Sequence, residues 1–133
     1  MTKQDIKEER KETDGNPQIK QRIRTVQMEM ARKRMMSAVP DADVIVTNPT
    51  HISIAIKYDP EKTAAPVVVA KGVGPIAMRI REIAKEHGIP LVEDKPLART
   101  LNKTVEVGQL IPASLYKAVA EILAYVFRLK NFS

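Results

Sequence analysis

The sequence predicts an α/β domain, a small sheet of about four strands covered by helices and preceded by an N-terminal helical linker. Two patterns predict it. His51-Ile-Ser-Ile-Ala-Ile-Lys57 alternates, with Ile52, Ile54 and Ile56 on one face, and short β-branched runs at Asp43–Thr47 and Val67–Ala70 flank it. Between and after these runs, apolar residues recur at helical spacing, first at Ile76, Ile80, Ile83 and Ala84, then at Leu115, Val119, Ile122, Val126 and Leu129.

Taken in order, residues 1–18 are polar and carry Gly15, Asn16 and Pro17, which predicts a frayed start. Over residues 19–37, Ile19, Ile23, Val26 and Met30 form a thin helical stripe ringed by Arg22, Arg24, Arg32, Lys33 and Arg34; a helix so sparsely apolar must lean on something else. Pro40 ends it. The strand at Asp43–Thr47 runs into Asn48-Pro49, read as a break between two strands. Tyr58–Lys62 is a turn, and Lys71-Gly-Val-Gly74 reads as a close strand-to-helix turn after the strand at Val67–Ala70. Pro75 suits the first helical position. His87-Gly88 supplies a cationic last turn and a C-cap. Ile89–Glu93 is a short strand, Pro96–Lys103 a short helix, Val105–Ile111 a connector, and Pro112 opens the last helix. The expected division is a basic linker arm over 1–37 and a folded domain over 38–133.

Composition narrows the chemistry. The 133 residues include no cysteine and two histidines, His51 and His87, so thiolate chemistry is excluded and a metal site is not expected. Aromatics make up 4%, so the core must be aliphatic. No apolar run approaches the ~20 residues of a membrane helix, and the N-terminus has no apolar signal region. Net charge is +6, and residues 1–37 carry ten Lys/Arg against six Asp/Glu, which is +4 of that total. A basic arm suits lipid headgroups or nucleic acid; a solvated helix that only aids solubility is the plainer alternative.

The unusual chemistry is at Asn48-Pro49-Thr50-His51. Asparagine ordinarily decays when the next backbone nitrogen attacks its side-chain carbonyl. Proline has no N–H, so that route is closed at Pro49. What remains is attack by the Asn48 side-chain nitrogen on its own backbone carbonyl carbon, which cuts the chain and leaves a C-terminal succinimide and a free Pro49. An amide nitrogen is a poor nucleophile, so the reaction needs help. A turn that holds the attack geometry supplies proximity, and a strained turn stores ~1–3 kcal/mol. Proton relay by His51 is worth ~10²–10⁴-fold, and Thr50 is placed to hydrogen-bond across the turn or to the developing oxyanion. The alternative is an inert turn, because Asn-Pro commonly starts one.

Several segments in order carry a resemblance. Val-Ile-Val-Thr-Asn-Pro-Thr-His (44–51), Ile-Ala-Ile-Lys-Tyr-Asp (54–59), Ala-Pro-Val-Val-Val-Ala-Lys-Gly (65–72), Arg-Ile-Arg-Glu-Ile-Ala (79–84), Pro-Leu-Ala-Arg (96–99) and Ile-Pro-Ala-Ser-Leu-Tyr-Lys-Ala-Val-Ala-Glu-Ile-Leu-Ala (111–124) resemble the FlhB/YscU family of type III export switch proteins, the flagellar branch more than the injectisome branch. The likeness covers about residues 19 to 130. It implies a single self-cleavage between Asn48 and Pro49, with Asn48, Pro49, Thr50 and His51 as the reacting set and no cofactor. It also implies a switch of export from rod-and-hook to filament-type substrates. Implied partners are other export-gate components, exported rod, hook and filament proteins, and a hook-length control protein. A membrane domain would precede this segment, with the basic arm near the headgroups at the cytoplasmic face of the bacterial inner membrane. No small-molecule substrate is implied.

Other features read more plainly. Lys71-Gly-Val-Gly-Pro75 lacks the full dinucleotide fingerprint, and Pro75 removes a donor. His87 suits a helix end, and Glu93-Asp94 a helix start. Pro96, Leu97, Ala98 and Arg99 are a candidate partner-binding surface, with Arg99 as a merely solvated residue the alternative. Tyr116, Tyr125 and Phe127 are expected in the core rather than in a ligand groove. Competing functions are a basic nucleic-acid-binding module, which lacks a reading motif and a stacking platform, and a small α/β enzyme, which lacks a nucleophile and base outside the turn.

Overall fold

In the computed structural model, which describes residues 15–132, the chain divides between Arg34 and Met35. The first helix, α1 (Pro17–Ala38), begins two residues earlier than its apolar stripe suggests. Asn16 explains the early start. Its Oδ1 accepts from the Gln18 N–H at 2.9 Å and its carbonyl from the Lys20 N–H at 3.1 Å, while Pro17 occupies the first turn. Ile19, Ile23, Val26 and Met30 are all exposed. Residues 1–14, and with them most of the segment expected to fray, lie outside the described residues.

The second unit opens with Met35 and Met36, half-buried against the cluster that includes Val39, Ala42 and Ile45, and a short 3-10 turn follows (Val39–Asp41). Four strands follow: β1 (Val44–Asn48), β2 (Ile52–Lys57), β3 (Val67–Val73) and β4 (Leu91–Glu93), interleaved with α2 (Pro75–Glu86) and followed by α3 (Lys95–Thr104) and α4 (Tyr116–Phe132). The sheet order is β3-β2-β1-β4, antiparallel except for the parallel β1/β4 pair.

Both faces of the sheet are covered, which is why β1 is apolar without alternation. On one face Val44, Val46, Ile52, Ile54, Ile56 and Val68 pack against Leu97, Ala98 and Leu101 of α3 and Val119, Ile122, Leu123 and Val126 of α4. On the other, Ile45, Ala55 and Ala70 pack against Ile80, Ile83 and Ala84 of α2. Ser53 is fully buried on that second face, and its hydroxyl donates to the Ala77 carbonyl at 3.0 Å, so its burial leaves no unmet polar group.

Four expectations are corrected. β3 runs on to Val73 instead of stopping at Ala70: Gly72 stays in the strand because Ile76 of α2 lies directly over it, where a Cβ would sit 2.7 Å from Ile76 Cβ. The α-helix at the C-terminal end begins at Tyr116, after a 3-10 turn over Ala113–Leu115, and not at Pro112. Leu129 is exposed, outside the cluster that buries Val119 and Val126. Tyr116, Tyr125 and Phe127 are also exposed instead of buried, since the inward stripe of α4 is wholly aliphatic. His87 and Gly88 end α2 as expected: Gly88 has φ 69, the Ile89 N–H donates to the Ala84 carbonyl at 2.8 Å, and His87 Nδ1 lies 3.0 Å from the Ile83 carbonyl.

Candidate functional site

Asn48 is the last residue of β1, paired with Ile52 across the hairpin, so the loop proper is Pro49-Thr50-His51. It is 8% exposed, while Thr50 and His51 face solvent and Pro49 is half-buried. The central strand pair thus carries Asn48 into the domain and leaves Thr50 and His51 at the surface.

The backbone of the turn is tightly specified. The His51 N–H donates to the Asn48 carbonyl at 3.0 Å, closing a four-residue turn. Pro49 presets φ at its second position, and Thr50 at the third has φ 72. Positive φ at that position is the mark of a type II turn, which normally places glycine or asparagine there. A β-branched residue so placed is strained, by about 1–2 kcal/mol.

Two further bonds fix the flanks. The Gly74 N–H donates to the His51 carbonyl, and the Asp94 N–H donates to the Thr47 carbonyl, each at 3.0 Å. Asp94 is also the N-cap of α3, its Oδ1 accepting from the Leu97 N–H at 3.1 Å. Gly74 is the N-cap residue of α2, at φ 55 and ψ −125. The hairpin is therefore tied on one side to the start of α2 and on the other to the start of α3.

This arrangement has one direct chemical consequence. The Asn48 carbonyl carbon is the electrophile in side-chain cyclisation, and its oxygen already accepts a backbone N–H. That donor is in position for the oxyanion that forms when Asn48 Nδ2 adds to the carbon. Sequence reasoning assigned oxyanion contact to Thr50 and proton transfer to the His51 ring; the structure adds the His51 backbone N–H. It also adds Gly74 and Asp94, which sequence reasoning missed as parts of this site. Their only signal is position: Gly74 directly precedes the predicted helix at Pro75, and Asp94 stands two residues before Pro96.

The tetrad Pro96, Leu97, Ala98 and Arg99 is split by the fold. Leu97 and Ala98 are core residues of α3, and only Pro96 and Arg99 are accessible. Lys71, from the glycine-rich segment, is also committed: its Nζ donates to the Asn102 carbonyl at 2.9 Å and lies 3.4 Å from Glu106 Oε1. An open apolar groove of about 380 Å³ lies elsewhere, between Tyr58, Pro66, Tyr116, Ala120, Leu123 and Phe127, with no charged residue in its lining. Among the described residues no cluster of His, Asp or Glu could hold a metal ion, and no helix is long and apolar enough to cross a membrane.

A four-stranded mixed sheet between helices is a fold shared with solved domains of FlhB and EscU. The cytoplasmic domain of FlhB from Shewanella putrefaciens matches with a TM-score of 0.73 and 50% identity, over 76% of this chain and 78% of that one. A mutated EscU C-terminal domain matches with a TM-score of 0.67 and 34% identity, over 69% of this chain and 92% of that one. The chain belongs to the FlhB HrpN YscU SpaS family, whose sequence profile matches residues 1–126. The flagellar biosynthetic protein FlhB of Bacillus subtilis (strain 168) is 56% identical over 131 residues, 98% of this chain and 36% of that protein. That of Salmonella typhimurium is 56% identical over 132 residues, 99% of this chain and 34% of that protein. The chain thus spans about a third of the length of these relatives.

Proposed function

We propose that this chain is the cytoplasmic part of a flagellar type III export component that cuts itself once between Asn48 and Pro49. The cut switches export from rod-and-hook to filament-type substrates. The observation that carries the reading is the 3.0 Å bond from the His51 N–H to the Asn48 carbonyl, in a turn tied at both flanks.

In the first step Asn48 Nδ2 adds to the Asn48 backbone carbonyl carbon, closing a five-membered ring, and the oxyanion takes up the His51 N–H bond. Nδ2 loses a proton. The tetrahedral centre then collapses, the bond from the Asn48 carbon to the Pro49 nitrogen breaks, and that nitrogen takes up a proton and leaves as a secondary amine. Water is not consumed until the C-terminal succinimide opens. The exposed His51 ring and Thr50 hydroxyl, with solvent, supply the proton path. Each molecule reacts once, so the chain is not an enzyme toward any added substrate.

The export role draws its support from family membership and from the likeness to flagellar FlhB proteins. The aliphatic and aromatic groove beside Pro66 suits an apolar segment of an exported protein. The basic residues of α1 suit anionic headgroups at the inner membrane, where a preceding membrane domain would hold them. Export-gate components and a hook-length control protein are the remaining proposed partners. The test is to graft the chain in place of the matching segment of a flagellar FlhB, with and without Asn48→Ala. Filaments in the first strain, and hooks without filaments in the second, are expected. Filaments in both would overturn the coupling of cleavage to switching.

A further inference from the structure

The two backbone groups of His51 face opposite ways. Its N–H points into the turn and donates to the scissile Asn48 carbonyl; its C=O points out and accepts the Gly74 N–H. The outer bond fixes the residue whose inner bond serves the reaction. The bond continues the β2/β3 ladder one step beyond the Ile52/Val73 pair, and Gly74 then leaves the strand in an uncommon backbone conformation, φ 55 and ψ −125. That is the mirror image of the polyproline region, open to glycine and strained for an L-residue. Beyond its neighbours Val73 and Pro75, no heavy atom lies within 4 Å of where a Gly74 Cβ would sit, so this glycine is not there to make room. Gly72 differs, because it lies under Ile76. Nor does α2 need a glycine at its start, since serine, threonine, aspartate or asparagine caps a helix at least as well. What the conformation of Gly74 does accomplish is to turn the chain from the end of β3 into Pro75 while its N–H meets the scissile hairpin.

We propose that Gly74 is a positioning residue for self-cleavage: its N–H holds the His51 carbonyl, and through it the His51 backbone, so that the His51 N–H stays on the Asn48 carbonyl through the cyclisation step. This rests on the self-cleavage reading above and adds a residue outside the Asn48–His51 segment to it. The link runs through backbone alone, so the chemical nature of the His51 ring does not enter it.

The experiment follows cleavage from time zero, in chains assembled by chemical ligation under denaturant and diluted into refolding buffer. Intact-mass spectra give the rate, and circular dichroism gives the folded fraction. Four chains are compared with the wild type. Gly74→Ala strains the turn and shifts the N–H. D-alanine at position 74 keeps the N–H and fits the mirror-image conformation. Glycolic acid at position 74 replaces the N–H with an ester oxygen and adds no side chain, so the fold is kept even if Gly74→Ala fails to fold. Gly88→Ala, at φ 69 at the other end of α2 and equally open, controls for backbone strain far from the hairpin. A lost bond of ordinary net strength corresponds to cleavage ~3–10-fold slower. That slowing is expected for glycolic acid and for Gly74→Ala, with the wild-type rate restored by D-alanine and kept by Gly88→Ala. Cleavage of the folded glycolic acid chain at the wild-type rate would overturn the role of Gly74 and leave self-cleavage standing. A folded wild-type chain that never cleaves would overturn both.

Discussion

Once cut, the two pieces should behave as one folded protein, and Ile45→Ala should reveal what holds them. The N-terminal piece ends at Asn48 and keeps β1, which lies between β2 and β4. Four of its aliphatic side chains, Val39, Val44, Ile45 and Val46, are 0% exposed. At about 1.5–3 kcal/mol each, their burial contributes roughly 6–12 kcal/mol, and the surfaces they cover on β2, β4 and α2 add to it. That burial, with the ladder bonds on both sides of β1, opposes the loss of freedom on association, and the pieces are expected to stay together at micromolar concentration. Ile45 packs against Ile80, Ile83 and Ala84, and truncating it removes about 2–5 kcal/mol. In the cut protein that weakens the complex by roughly 30-fold to more than 1,000-fold. In an uncut Asn48→Ala background the same change can only lower the melting temperature, by about 10 °C or more for a domain of this size. Native size-exclusion chromatography over a dilution series reads the first effect and a thermal melt the second. If the wild-type pieces separate at micromolar concentration without denaturant, or if Ile45→Ala leaves the dilution profile unchanged, the argument from burial fails.

The remaining predictions concern the turn and its supports. Thr50→Gly removes about 1–2 kcal/mol of strain at φ 72 and adds ~0.5–1 kcal/mol of chain entropy to the unfolded state. In the uncut Asn48→Ala background the melting temperature should therefore hold or rise by a few degrees; a clear fall would mean that Thr50 is not strained there. Pro49→Ala restores an N–H at the position that proline had closed. Peptide mapping should then find a deamidated, unbroken chain competing with the cut one, and a product with no deamidation would contradict the stated role of proline. Asp94→Ala removes the N-cap of α3 while leaving the Asp94 N–H bond to Thr47 in place. It should cost about 0.5–2 kcal/mol of stability in urea with little change in cleavage rate, and a much slower cut would give the side chain a role that its geometry does not.

The strands that the sequence predicted best are those with the least ambiguous burial. Ile52, Ile54 and Ile56 alternate and all three reach the same cluster; Val44, Ile45 and Val46 do not alternate, and they serve both faces of the sheet at once. Glycine misled the reading at Gly72, where it signals the close approach of α2 to a strand and not the end of that strand. Aromaticity misled it at Tyr116, Tyr125 and Phe127, which the aliphatic stripe of α4 leaves outside. The chemistry proposed at Asn48-Pro49 rests on covalent structure alone, a side-chain amide next to a residue with no N–H, and so needs no fold to be suspected. The supports of the hairpin were not legible. Gly74 and Asp94 reach it through backbone N–H groups from elements 26 and 46 residues downstream of Asn48, and no side-chain pattern marks such a bond.

Intact-mass spectrometry of the purified protein under denaturing conditions, beside Asn48→Ala prepared in parallel, reads whether the folded chain breaks its own Asn48-Pro49 bond. Two fragments are expected from the wild type, the first ending at residue 48 and the second beginning at Pro49, and one unbroken chain from the variant. A wild-type chain that stays whole after long incubation in the folded state, or a variant that is cut at the same bond, would contradict self-cleavage by Asn48.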